Sequence, residues 1–159
     1  MDFSRLLEAY ARPLRRLCAA YMPDQSDRQD LFQEIALALW TARPKFRASA
    51  SERTWLYRIA HNVALTYAAK RRRQHRTEEP IQIATPDQAS QDDGRHAALL
   101  QAIQLLDTVD RQLALLYLEG LAAREMEDIT GLTANNIGVR LTRLRHKLTT
   151  SLNPKGGTK

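Results

Sequence analysis

Asn135, Asn136, Arg140, Arg143 and Lys147 fall on one row of a helical repeat that begins near residue 134, and these side-chain types share one chemistry. Asn pairs with adenine edges, Arg with guanine edges, and any cation with phosphate. Just before that row, Gly131 suits the positive-φ position of a tight turn, Leu132 can pack into the corner, and Thr133 can cap the next helix. A helix over 122–130, this turn and a second helix over 134–150 make a helix-turn-helix, with Ile137, Leu141, Leu144 and Leu148 as the inward row of the second helix. A lone basic helix is ordinarily a solvated face. Here the glycine turn, the cap and the polar row coincide, which favours duplex DNA.

A second set of residues suits unpaired bases. Phe46, Trp55, Tyr57 and Tyr67 interleave with Arg47, Arg53, Arg58 and the run Lys70-Arg71-Arg72-Arg73. Exposed aromatics stack on bases at roughly 1 to 3 kcal/mol each while cations follow the backbone. Helical spacing assigns Trp55 and Tyr67 to a core and leaves Phe46 and Tyr57 open; the four-cation run fits either a phosphate contact or a solvated helix end. Catalytic chemistry finds no support. His61, His75, His96 and His146 have no metal-ligand spacing with one another or with Cys18, and Glu125, Glu127 and Asp128 share a helix without a paired His. No phosphate loop or nucleophile motif is present, so no metal, cofactor or small-molecule substrate is expected, and no enzyme.

The elements that must position these residues are helices. The chain has 159 residues, room for one ordinary domain or two small ones, and 43% hydrophobic residues supply a core. Its formal charge of +6 is unevenly spread: ten basic residues and one acid from Arg43 to Arg76, nine acids against three arginines from Asp87 to Asp128, then six basic residues and no acid from Arg140 onward. Two basic blocks flanking an acidic stretch suit two contacts on one polyanion. Leu6, Leu7, Tyr10, Leu14, Leu17, Cys18 and Tyr21 predict a first helix with a break or restart at Pro13. A second spans about 27–42, with Leu31, Ile35 and Leu39 and a larger stripe of Phe32, Leu37 and Trp40, and ends at Arg43-Pro44. A third opens on a capping box, Ser49 to Glu52, and runs to Arg73 with Trp55, Leu56, Ile59, Val63 and Tyr67 inward. Further helices are expected over about 95–106 and 110–119, ahead of the helix-turn-helix. Prolines and polar tracts over 74–93 read as a connection. The expectation is an all-α chain of two small helical domains: 1–75, a flexible linker over 76–94, a second domain over 95–153, and a disordered tail over 154–159.

At this point the residues resemble a known family. Asp30-Leu31-Phe32-Gln33-Glu34-Ile35 with Leu39-Trp40, then Pro44-Lys45-Phe46-Arg47, then Thr54-Trp55-Leu56-Tyr57-Arg58-Ile59-Ala60-His61-Asn62, look like region 2 of the sigma-70 superfamily, in its extracytoplasmic-function group. Leu116-Tyr117-Leu118-Glu119-Gly120-Leu121 and the helix-turn-helix ending Arg140-Leu141-Thr142-Arg143-Leu144-Arg145 are similar to region 4.

The resemblance implies a subunit that directs core RNA polymerase to promoters and promotes strand opening. It implies that Asp30, Leu31, Gln33, Glu34, Leu37 and Trp40 dock on the beta-prime coiled coil. It implies that Phe46, Arg47, Ser49, Ser51, Tyr57, Arg58, Asn62, Lys70, Arg71, Arg72 and Arg73 meet the minus-10 element, with Asn62 at a flipped base, whose amide can donate and accept. Thr133, Asn135, Asn136, Arg140, Arg143 and Lys147 would meet the minus-35 element while region 4 also reaches the beta flap. Thr66 and Ala69 stand where family members often carry Asp and Arg, and Ala122-Ala123 replaces a customary Ser-Tyr. Glu127 replaces a small residue and is expected to turn outward or find a cation. The partners implied are core RNA polymerase and promoter DNA, with room for an anti-sigma factor. A stand-alone helix-turn-helix regulator, dimerising through its N-terminal helices, is the competing reading; the Asp30 to Trp40 helix separates the two. With one cysteine, no apolar run of membrane-spanning length and no signal-peptide order at Met1 to Arg5, a cytoplasmic location without membrane insertion is expected.

Overall fold

The computed structural model describes residues 2–47, 49–75 and 91–152. Among the described residues seven α-helices follow one another: α1 (Phe3–Tyr21), α2 (Gln25–Ala42), α3 (Glu52–His75), α4 (Gln91–Gln104), α5 (Thr108–Leu118), α6 (Ala123–Thr130) and α7 (Ala134–Leu152), with a short 3₁₀ turn at Arg43–Lys45. No strand occurs among the described residues. The chain divides into two compact units, residues 1–84 and 85–159. Most of the expected connection over 76–94, and the tail over 154–159, lie outside the described residues.

In the first unit α1, α2 and α3 pack pairwise on one another. Leu14 and Leu17 of α1, Leu31, Ile35 and Leu39 of α2, and Leu56, Ala60 and Ala64 of α3 are fully buried between them. Asp2 caps α1, its Oδ1 accepting from the Arg5 amide at 3.3 Å. The expected break at Pro13 does not occur, and the helix runs through it. Proline there forfeits one backbone bond and crowds the preceding turn; the flanking Leu6, Leu14 and Leu17, all buried, hold the helix together across it. Asp24 caps α2, accepting from Ser26 N at 3.1 Å, so α2 starts two residues earlier than its apolar pattern.

α3 is capped by Ser51 rather than by Ser49. The Ser51 hydroxyl accepts from the Thr54 amide at 3.0 Å and donates to its side chain at 2.8 Å, which leaves Thr54 buried but satisfied. The inward face of α3 also differs from the pattern: Leu56, Tyr57, Ala60, His61, Ala64 and Ala68 are buried, whereas Trp55, Ile59, Val63 and Tyr67 are half-buried flanks. Alanines four apart form a low ridge that lets another helix approach closely. Ranking residues by size hides such a ridge.

In the second unit α4, α5 and α6 each pack on α7. Leu113, Leu116, Met126, Ile137 and Leu144 are its most enclosed side chains. α4 begins at Gln91 and ends at Gln104, earlier at both ends than its periodicity suggests. Its end is held by Arg111, which donates through Nη2 to the carbonyls of Gln104 at 2.8 Å and Leu106 at 3.0 Å. Asp107 caps α5 by accepting from the Asp110 amide at 2.8 Å.

Candidate nucleic-acid interfaces

The outer face of α2 follows from its period of 3.6. Leu31, Ile35 and Leu39 point inward, so Asp30, Gln33, Glu34, Leu37 and Trp40 share the opposite side and are exposed. Leu37 is 61% and Trp40 48% exposed, large values for apolar side chains on a helix whose other face is already satisfied. Trp40 is nonetheless fixed: the Phe3 ring meets it edge-on at 5.1 Å, and the Arg43 guanidinium lies 3.3 Å from its ring centroid. The face is acidic at one end and apolar at the other. Leu31 must be removed from it, because it is fully buried and can touch no partner.

The basic block after α2 separates into exposed and interior members. Phe46 is half-buried, its ring packed edge-on against Trp55 at 5.2 Å, while Arg47 and Ser49 are exposed and Ser51 is occupied as the α3 cap. Arg58, Asn62 and Thr66 stand exposed at successive fours along α3. The Thr66 hydroxyl donates back to the Asn62 carbonyl at 2.9 Å, leaving the Asn62 side chain outward. Asn62, Val63, Thr66, Tyr67 and Lys70 line a shallow open cleft with Glu34 of α2.

Two expected contacts prove to be structural. Tyr57 is 2% exposed, its ring edge-on to Tyr10 at 6.1 Å and tilted on His61 at 6.3 Å, so it belongs to the core and offers no face to a base. Arg71 turns inward onto Asp27 of α2, Nη2 to Oδ1 at 2.9 Å, and also donates to Gln74. Asp27 is buried, and a carboxylate there requires a cation. Lys70, Arg72 and Arg73 remain exposed.

His61 is likewise interior. Its Nδ1 meets the Tyr21 hydroxyl at 3.2 Å, and burial pushes the imidazole down to about 3 from its ordinary 6.5, so the ring is neutral. Among the described residues no three His, Cys, Asp or Glu side chains converge as metal ligands. No described helix is long and apolar enough to cross a membrane.

The helix-turn-helix forms where the residues place it. Gly131 ends α6 at φ +78°, its amide donating to the Glu127 carbonyl at 2.8 Å. Leu132 N then donates to Thr130 Oγ1 at 3.2 Å, and Thr133 Oγ1 accepts from Asn136 N at 3.2 Å to cap α7. Ile137 and Leu144 are buried, with Leu141 and Leu148 half-buried beside them. Thr133, Asn135, Asn136, Arg143 and Lys147 are exposed. Arg140 is not simply outward: it is bound to Asp110 of α5 at 3.1 Å and to the Asn136 side chain at 3.1 Å.

Glu127 is half-buried and meets no cation among the described residues. Its Oε1 accepts from the backbone amide of Ala134, the first residue of α7. A helix N-terminus offers unpaired amides and a positive field, which is all the carboxylate needs. At the start of α6, the Ala122 amide donates to Glu125 Oε2 at 2.8 Å; the alanine methyl cannot reciprocate, so only half of a capping box is made.

Residues 6–74 match the Sigma-70 region 2 family. The ECF RNA polymerase sigma factor SigG of Mycobacterium tuberculosis is 43% identical over 72 residues, covering 45% of this chain and 20% of that protein, so the matched segment spans only about a fifth of that relative. The ECF RNA polymerase sigma factor SigC of Mycobacterium tuberculosis is 30% identical over 161 residues, covering 94% of this chain and 85% of that protein. A solved structure of the sigma factor RpoE, in complex with the anti-sigma factor NepR from Bartonella quintana, matches with a TM-score of 0.79 at 21% identity, over 97% of this chain and 98% of that one. That last likeness is one of fold.

Proposed function

The chain belongs to the extracytoplasmic-function sigma factors, and from that membership we propose that it directs core RNA polymerase to specific promoters and promotes strand opening there. The observation that carries the reading is the pairing, on one chain, of an exposed acidic-apolar face on α2 with a basic helix-turn-helix. A regulator that acts alone on duplex DNA needs the second and has no use for the first. In this reading residues 1–75 form the polymerase-docking and minus-10 domain, 76–94 the linker and 95–153 the minus-35 domain.

Asp30, Gln33, Glu34, Leu37 and Trp40 supply the polymerase contact, with Leu31 holding the helix from beneath. A coiled coil offers an apolar seam flanked by charges, and the α2 face presents the complement, with Trp40 already fixed so that little side-chain entropy is lost on docking. Phe46, Arg47, Ser49, Arg58, Asn62, Lys70, Arg72 and Arg73 meet the minus-10 strand. Arg58 and Asn62 present side chains to bases one turn apart, while Lys70, Arg72 and Arg73 follow phosphates. Opening is driven by binding energy: unstacking a base costs a few kcal/mol, and capture of the exposed base repays it. Thr133, Asn135, Asn136, Arg140, Arg143 and Lys147 engage the minus-35 duplex. The polymerase performs the chemistry and also offers its beta flap to the second domain. The RpoE complex supports an anti-sigma factor as a further partner, and the reading places the protein in the cytoplasm, with the polymerase.

The test is co-purification with core RNA polymerase, comparing the wild type with a Leu37→Ala/Trp40→Ala variant whose fold is verified by circular dichroism. Both residues are exposed, so the variant is expected to fold and to lose the polymerase. A folded wild type that binds duplex DNA and ignores core polymerase refutes the proposal in favour of the stand-alone regulator.

A further inference from the structure

Asp110 has no place among the proposed polymerase and promoter contacts, yet its position is unusual. It lies in the first turn of α5, 8% exposed, on a different helix from the one that faces DNA. Its Oδ1 accepts from Arg140 Nη1 at 3.1 Å, and Arg140 Nε donates to Asn136 Oδ1, also at 3.1 Å. A relay of three side chains therefore runs from a buried carboxylate to the exposed face of α7. The Asn136 backbone amide is already held by the Thr133 cap, so both ends of that residue are pinned.

The physical consequences concern orientation. An arginine on a helix surface samples many rotamers, and a nearly buried, charge-assisted bond removes most of them. Because the guanidinium is planar, engaging Nη1 and Nε fixes its plane and leaves both Nη2 hydrogens as donors still to be used. An exposed carboxamide turns over freely; here its oxygen is claimed by Arg140, so the Asn136 amide leads with its NH2 group. Two donors one helical turn apart then face outward. In the major groove such donors suit guanine, which presents two acceptors, and suit adenine poorly, because its N6 amino group is itself a donor. Pairing with Asp110 also neutralises Arg140, which keeps it from being drawn to the nearest phosphate.

We infer that Asp110 is a positioning residue for promoter specificity: through Arg140 it fixes the amide of Asn136, so that this pair reads an acceptor-rich base edge, guanine before adenine, instead of gripping phosphate. The inference deepens the reading of α7 as the minus-35 helix and rests on it.

Wild type, Asp110→Asn, Asn136→Ala and the double variant, each as the full chain assembled with core RNA polymerase, are taken through selection from duplexes randomised in the upstream promoter element. Affinity for a random-sequence duplex is measured alongside. The wild type is expected to select guanine at the position under Asn136. Asp110→Asn should flatten that preference on the order of tenfold, at the same position as Asn136→Ala and with no further loss in the double variant, while random-duplex affinity stays level or rises as Arg140 is released. An Asp110→Asn variant that keeps the preference, or that loses selected and random binding in equal proportion, overturns the inference and leaves the minus-35 helix standing. A wild type that assembles with polymerase but selects no upstream sequence overturns both.

Discussion

Acid should weaken the first unit through one residue, His61. Its ring is 1% exposed, touches the Tyr21 hydroxyl and packs between the rings of Tyr21 and Tyr57 at 5.9 and 6.3 Å. Burial holds its pKa down near 3, whereas in the unfolded chain it returns to 6.5. Between those values the unfolded chain binds one proton more than the folded one, and stability therefore rises with pH. The contribution is complete above 6.5, is lost as pH falls towards 3, and changes no further below that. From pH 7 to pH 5 the loss is about 2 kcal/mol, and it is the same for any folded pKa well below 5. Both tryptophans, Trp40 and Trp55, lie in this unit, so urea unfolding followed by tryptophan fluorescence reports it separately from the second unit. His61→Gln removes the titration and keeps a polar partner for Tyr21. That variant is expected to be less stable at pH 7 but to lose about 2 kcal/mol less than wild type on going to pH 5. Parallel stability curves for the two proteins would refute the buried, neutral imidazole.

Two further outcomes follow from the interior ion pair and the unusual cap. Arg71→Ala strips Asp27 of its cation and is expected to cost about 2 kcal/mol or more in urea unfolding of the first unit, whereas Arg72→Ala, at an exposed position, should stay within about 0.5 kcal/mol; equal effects would make Arg71 an ordinary surface cation. Glu127→Ala removes the acceptor of the Ala134 amide, at a cost of about 1 kcal/mol in stability. It also uncovers the positive end of α7, so affinity for a random duplex, measured by fluorescence anisotropy across a salt series, should rise, and a fall would show that the Glu127 carboxylate does not mask that end.

What the sequence made legible divides by the distance over which each structure is decided. The helix-turn-helix was readable because most of its turn and cap bonds join residues at most four apart, Gly131 to Glu127, Leu132 to Thr130 and Asn136 to Thr133, whereas the bond from Ala134 to Glu127, seven apart, was not foreseen. The stop at Arg43-Pro44 is local in the same way. The resemblance to region 2 singled out α2, but by grouping consecutive residues it joined Leu31, which the helical period buries, to Leu37 and Trp40, which it exposes. Tyr57 and Arg71 lay beyond local patterns altogether. Their surroundings come from α1 and the start of α2, as in Arg71 with Asp27, 44 residues apart.

Those distant pairings still leave a trace in the sequence. Asp24 and Asp27 open α2, and Asp107 and Asp110 open α5, each pair spaced by three. In both cases the first aspartate caps the helix and the second stands in its first turn. An acid in the first turn is favoured by the helix field, which makes burial there less costly, but a buried carboxylate still needs a cation. Asp27 takes Arg71 near the end of α3, and Asp110 takes Arg140 within α7. Each arginine belongs to a row whose other members face outward. A run of cations in this chain is thus not a uniform surface. One arginine in each basic row ties its helix to a buried aspartate, and Lys70, Arg72 and Arg73 in the first row, with Arg143 and Lys147 in the second, stand exposed beside it.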